Sequence, residues 1–263
     1  HARFRQGVLL GKVGRLRFDL SQEARARVLE EDVMETAAIE GVIFDRDSVR
    51  SSICQRLNVP CIGGGGSDRN AAGAINMLLD ATERHPLPLS KKRLVGWHSG
   101  LFPDGQSGLH EVQTGNYRDG PMEVVSGRVD RPRIHFEAPP SARLHQELMA
   151  FVHWFNQHRG WDGLLRAALA HLWFVTIHPF DDGNGRIARS LTDMALSQDE
   201  GLEKRFYSLS AQISSERNDY YRILERTQKG TMNVTDWLLW FLACFTRAVD
   251  GADGSFQSVM DNA

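Results

Sequence analysis

The chain has 263 residues, with 31 lysines and arginines against 33 aspartates and glutamates and a formal net charge of −2. That balance gives no global attraction for nucleic acid or an anionic membrane surface, so any phosphate the protein binds must be gripped locally. The length sits at the upper end of what one core usually serves, which favours one domain with an appendage. Cys54, Cys61 and Cys244 are odd in number and lack metal-ligand spacing. They read as buried structural thiols in a reducing compartment, not as a disulfide framework. The longest apolar run, Trp237 to Cys244, is far shorter than the ~20 residues of a membrane helix, and the N-terminus lacks a signal peptide's apolar region. A soluble, cytoplasmic protein is expected, with no membrane or nucleic-acid partner. His1 is not an initiator methionine, and the chain reads as a fragment or a processed product.

In chain order, Ser21 to Glu40 predicts a helix: Ser21 is a good N-cap, helix formers follow, and Gly41 is a good residue just past the end. Residues 47–57 predict a second, shorter helix stopped before Pro60. The tract Gly63 to Gly66 predicts a helix connection, and residues 69–84 and 90–101 two more helices, the latter capped by Ser90. From Val112 to Phe136 the turn residues cluster around two β-rich runs, Met122-Glu-Val-Val125 and Arg133-Ile-His-Phe136, which predicts a hairpin or extended flap. Leu144, Leu148, Phe151, Val152 and Phe155 then form the stripe of an amphipathic helix. Leu164 to Val175 is apolar nearly all round, as a central buried helix must be. Helices over 185–197, 214–228 and 235–248 complete the reading. The expected fold is mainly α, a helical bundle with a β-hairpin at its edge and an N-terminal helical segment packed on it. The histidines His153, His158 and His171 fit no zinc spacing.

Chemistry concentrates in His178-Pro-Phe-Asp-Asp-Gly-Asn-Gly-Arg-Ile-Ala-Arg189. Gly183 and Gly185 permit a tight turn and place free N–H groups at the start of the next helix, which makes an anion nest. Arg186 and Arg189 share a face of that helix and can grip one anion. Asp182 offers the single hard oxygen that Mg²⁺ on a polyphosphate takes from protein. His178 titrates near neutrality and can accept a hydroxyl proton. These parts describe phosphoryl or nucleotidyl transfer without a covalent enzyme intermediate. The commoner nucleotide-binding loops are absent from the sequence.

The string matches every fixed position of His-x-Phe-x-[Asp/Glu]-Gly-Asn-Gly-Arg-x-x-Arg and so resembles the signature of the Fic family. That resemblance implies a protein adenylyltransferase that moves AMP from Mg·ATP to a Ser, Thr or Tyr hydroxyl of a target protein. His178 would be the base, Asp182 the Mg²⁺ ligand and Phe180 a buried anchor. Gly183, Asn184 and Gly185 would surround the α and β phosphates, with Arg186 on the phosphates and Arg189 on the γ-phosphate. Gly115-Asn-Tyr-Arg118 and Gly120-Pro-Met-Glu-Val-Val125 look like the family's flap, where Tyr117, Met122 and Val124 would dock an extended target segment by strand addition. Tyr221 and Gln228 are candidate base contacts. Thr36-Ala-Ala-Ile-Glu40-Gly41 resembles the family's autoinhibitory [Ser/Thr]-x-x-x-Glu-[Gly/Asn] motif, with Glu40 taking Arg189 from ATP and Thr36 seating the helix. The implied division is an N-terminal helical segment over residues 1–66 and a catalytic core over residues 67–263. Relatives with this N-terminal segment often carry a further winged-helix domain. Removal of AMP through the same pocket, or a catalytically silent interaction module, are the alternatives. The target, the modified residue, nucleotides beyond ATP and the oligomeric state, a homo-oligomer included, stay open at this level.

Overall fold

The computed structural model describes residues 1–14, 17–60, 68–108, 110–128, 131–157 and 159–261. Eleven helices and two small antiparallel hairpins are found among them. The helices are α1 (Ala2–Val13), α2 (Phe18–Ile39), α3 (Arg46–Leu57), α4 (Arg69–Glu83), α5 (Lys91–Leu101), α6 (Ser141–Gln157), α7 (Gly163–Ile177), α8 (Asn184–Glu200), α9 (Leu209–Ser215), α10 (Arg217–Lys229) and α11 (Thr235–Asp261). The strands are β1 (Gln106–Ser107), paired with β2 (His110–Glu111), and β3 (Glu123–Arg128), paired with β4 (Arg131–Glu137). No described helix is long and apolar enough to cross a membrane.

The apolar helix α7 takes the central place its composition demands. Leu164, Ala167, Ala168, Ala170 and Phe174 are all buried, and α8, α6 and α11 pack around it. Side-chain oxygens cap the helix starts: Asp45 on α3, Asp68 on α4, Ser90 on α5, Asp162 on α7 and Ser208 on α9. Helices α4 and α5 cross at Gly73 and Gly100, where a Cβ on Gly73 would overlap the Gly100 carbonyl. Helix α2 lies across α3, α9 and α4 and also touches α8, which brings its C-terminal end to the catalytic-type motif.

Several boundaries depart from the expected ones. Helix α2 starts at Phe18, so Ser21 lies inside it, because the backbone already turns from the extended conformation at Arg17 (φ −60°, ψ 151°). The single helix expected over 214–228 is two. The chain breaks at Glu216, whose carboxylate receives Arg247 Nε and Nη2 at 2.6 Å each and so pins the break against α11. Helix α1 was not foreseen. It packs on a long extension of α11, with Lys12 Nζ 2.5 Å from Asp253 and Arg5 paired with Asp250. Cys54 is disulfide-bonded, contrary to the expectation of three free thiols, while Cys244 is a buried free thiol. Gly63 to Gly66, and with them the expected boundary after residue 66, lie outside the described residues, as does His158.

Candidate active site

The site is built where α7 hands the chain to α8. His178 caps α7 in the left-handed conformation (φ 50°, ψ 61°), which a non-glycine residue adopts only when its surroundings over-determine it. Its N–H donates to Phe174 O at 3.0 Å. Its Nδ1 lies 3.2 Å from Val175 O, an acceptor that fixes the proton on Nδ1 and leaves the Nε2 lone pair free. Burial pushes the imidazole below its ordinary pKa, so the ring is neutral at pH 7.

Beyond His178 the loop is locked from inside. Phe180 is fully buried and stacks on His98, with centroids 4.2 Å apart and planes 6° from parallel. Asn184 closes the turn on both sides, donating from Nδ2 to Phe180 O (2.8 Å) and accepting from Phe180 N at Oδ1 (3.0 Å). Gly183 sits at φ 79°, where a Cβ would press on the Phe102 ring at 2.9 Å. This turn starts α8, whose first N–H groups have no acceptor within the helix and whose dipole favours an anion.

Two buried arginines face that start. Arg186, 3% exposed, lies over the Phe102 ring at 4.8 Å, with Nη2 3.8 Å from Asp182 Oδ1 and Nε without a partner. Burial lowers its pKa. Arg189, 2% exposed, donates from Nε to Thr36 Oγ1 (2.6 Å) and from Nη2 to Thr36 O (2.9 Å) and Glu40 Oε1 (2.8 Å), leaving Nη1 without a partner. A Cβ on Gly185 would overlap Glu40 Oε1. The Glu40 carboxylate therefore occupies the space directly over the first turn of α8, where an anion would sit.

Asp182 projects from the same turn. Its Oδ2 accepts from Ser107 Oγ and its Oδ1 from Gly183 N, both at 2.5 Å. Among the described residues no three His, Cys, Asp or Glu side chains gather as a metal cage. A lone, half-exposed carboxylate is nonetheless the donor set that phosphate-bound Mg²⁺ requires, since phosphate and water complete its shell.

The remaining sequence-derived residues are placed less uniformly. Tyr221 donates its hydroxyl to Ile39 O at 3.1 Å, one residue before Glu40. Gln228 Nε2 donates to Thr176 Oγ1 at 3.2 Å, two residues before His178. Val124 lies on β3 opposite Phe136, and Met122, just before β3, accepts at its carbonyl from Ala138 N (2.9 Å). Tyr117 is not on the hairpin. Its ring packs on Phe180 at 5.1 Å, its hydroxyl is buried without a partner, and burial pushes its pKa up to about 12. Sequence reasoning passed over Ser107, for which no sequence signal exists, and His98, which accepts from Gly115 N at 3.0 Å and is held neutral by burial, its pKa lowered to about 4.

Residues 88–196 match the model of the Fic/DOC family, and residues 1–59 match that of a domain of unknown function (DUF4172). The protein adenylyltransferase fic-1 of Caenorhabditis elegans is 30% identical over 169 residues, covering 62% of this chain and 31% of its own. A probable protein adenylyltransferase of Aquifex aeolicus is 28% identical over 122 residues, 46% of this chain and 33% of its own. The chain thus spans about a third of the length of these relatives. Among solved structures, a Fic domain containing signaling protein from Bacteroides thetaiotaomicron aligns with a TM-score of 0.71 at 18% identity, over 95% of this chain and 94% of that one. At that identity the likeness is one of fold.

Proposed function

We propose that this chain, which carries a Fic/DOC family domain over residues 88–196, transfers AMP from ATP to a hydroxyl group of a target protein. The observation that carries the reading is the pair of buried guanidinium N–H groups without acceptors, on Arg186 and Arg189, set over a glycine turn beside a neutral histidine. Buried donors left unpaired cost about 1–3 kcal/mol each, more when charged, and a polyphosphate would satisfy both. The names of the relatives, protein adenylyltransferases, support AMP over other nucleotidyl groups.

In this reading the target hydroxyl gives its proton to His178 Nε2 and its oxygen attacks the α-phosphorus. The new P–O bond forms as the bond to the oxygen bridging the α and β phosphates breaks, and pyrophosphate leaves with the electron pair. The first-turn N–H groups of α8 and Arg186 hold the phosphates, and Arg189 holds the γ-phosphate. Asp182 would hold Mg²⁺, which when bound supplies charge neutralisation for the departing pyrophosphate. Tyr221 and Gln228 would contact the base, and the β3–β4 hairpin would take an extended target segment by strand addition.

Glu40 and Thr36 hold the protein off. Both engage Arg189, and the Glu40 carboxylate fills the anion seat over Gly185, so ATP could bind only with its phosphates displaced from the in-line pose. The reading is tested by His178→Ala. Transfer should fall by about 10²–10⁴-fold while ATP affinity stays within a few-fold, because the ring touches no phosphate in the ground state. Retained turnover with weakened ATP binding would overturn it.

A further inference from the structure

Arg118 is 3% exposed, and among the described residues no carboxylate pairs with it. A buried guanidinium with no carboxylate bonded to it is costly, and here burial lowers its pKa against the opposing charge of nearby Asp181. What compensates it is a fan of backbone carbonyls. Nε donates to His178 O at 2.7 Å, and Nη2 to Pro139 O at 2.6 Å and Ile177 O at 3.4 Å. Nη1 donates to Gly120 O at 2.8 Å, and the Arg118 backbone N–H donates to Pro179 O at 3.0 Å.

These acceptors belong to two places. Ile177, His178 and Pro179 form the C-terminal end of α7 and its exit, where helix carbonyls are orphaned and a cation is favoured by the dipole. Gly120 and Pro139 lie on the two sides of the β3–β4 hairpin, just outside the point where Ala138 N donates to Met122 O. One side chain therefore ties the residue in the left-handed conformation to both legs of the hairpin.

We infer that Arg118 is a positioning residue: it holds His178 in its αL geometry and clamps both hairpin legs to that same carbonyl, so that a segment paired with the hairpin arrives in register with His178 Nε2. The inference rests on the proposed transfer for its consequence, but not for its geometry. Lysine is no substitute, since a single ammonium cannot span four carbonyls in the plane that a guanidinium fork fits.

The test uses Arg118→Lys and Arg118→Ala, each made in the full chain, with readouts that do not depend on turnover. In the folded Lys variant the His178 ring should lose its single Nδ1–H tautomer by ¹⁵N NMR, and the amides of Val124 and Phe136 should exchange at least about tenfold faster, as a locally opened hairpin does. ATP affinity should stay within a few-fold, and AMP transfer should drop by about 10²-fold, the scale of a misplaced reacting group. Guanidinium ion added to Arg118→Ala should restore part of the rate. An unchanged His178 tautomer and unchanged hairpin exchange would overturn the inference even if transfer fell. Absence of AMP transfer in every form, with both NMR changes present, would refute the proposed function and leave the positioning role standing. Should neither variant fold, the unaltered protein still decides: the Arg118 Nε–H must exchange slowly with solvent, and fast exchange would overturn the inference.

Discussion

Replacing Glu40 separates the two effects it exerts on the site. Glu40→Gln keeps the side chain's bulk over Gly185 but removes its charge, whereas Glu40→Gly removes both and suits the backbone at this helix end (φ −88°, ψ 5°). The hydrogen bond to buried Arg189 is charge-assisted, worth about 1.5–3 kcal/mol, and belongs at the low end because the Glu40 side chain is 26% exposed. A carboxylate at a helix C-terminus opposes the dipole by about 0.3–1 kcal/mol, which its removal recovers. Arg189 keeps Thr36 in either variant. The net destabilisation of the unliganded protein is therefore about 1 kcal/mol, a Tm drop of roughly 2–4 °C for a domain of this size. Mg·ATP should reverse the order, because phosphate oxygens replace the lost carboxylate: at a hundredfold excess over Kd the ligand contributes about 2.7 kcal/mol. The assay is thermal unfolding with and without Mg·ATP, run beside AMP transfer to the protein itself and to lysate proteins. Glu40→Gly should transfer at least about tenfold faster than wild type, with Glu40→Gln between them. Equal rates in all three, or a larger ATP-induced Tm rise in wild type than in Glu40→Gly, would refute the inhibitory reading.

Three further outcomes are expected. Asp182→Ala removes the acceptor of Ser107 and Gly183 N along with the proposed Mg²⁺ ligand, so transfer should fall more than about tenfold and excess Mg²⁺ should restore it only partly; activity in EDTA equal to that in Mg²⁺ would contradict the metal role. Gly185→Ala places a methyl group where Glu40 Oε1 now sits, and because it also fills the phosphate seat, Glu40→Gly should not rescue it; a double variant as fast as Glu40→Gly alone would place the phosphates elsewhere. His98 is lowered by burial to about 4 and His171 to about 3, so the fold binds fewer protons than the unfolded chain. Their stabilisation is complete above an unfolded pKa of about 6.5 and is lost as pH falls, by up to about 1.4 kcal/mol per pH unit for each. Urea unfolding at pH 7 and pH 5 should show wild type losing stability relative to His98→Asn, and a constant difference would contradict the buried neutral state.

The central helix and the compact turn that follows it were legible because both are local. Apolarity nearly all round residues 164–175 calls for a buried helix, of which only the Leu165, Leu169 and Trp173 stripe stays partly exposed, and the tight spacing from His178 to Arg189 gathers the histidine, the turn and the two arginines at one helix end. The seat of Thr36 and Glu40 on Arg189 spans about 150 residues of sequence, and only the likeness of a short motif suggested it. The α9–α10 break was invisible because its cause is Arg247 on another helix reaching Glu216. Ser107 and Arg118 escaped for the same reason. Their roles are defined by partners that no spacing rule connects, and an arginine whose hydrogen bonds all go to backbone carbonyls has acceptors that every residue supplies alike. Tyr117 was assigned to the docking flap on the likeness of its surrounding motif alone, and the packing of its ring on Phe180 has no signal in the spacing.

The most direct measurement of the central claim compares ATP labelled on the α-phosphate with ATP labelled on the γ-phosphate, incubated with Mg²⁺ and either Glu40→Gly protein or the Glu40→Gly/His178→Ala double variant. Protein should acquire the α label only, and only when His178 is present. Incorporation of the γ label would make the chain a phosphotransferase, and α labelling that survives His178→Ala would remove His178 from the chemistry.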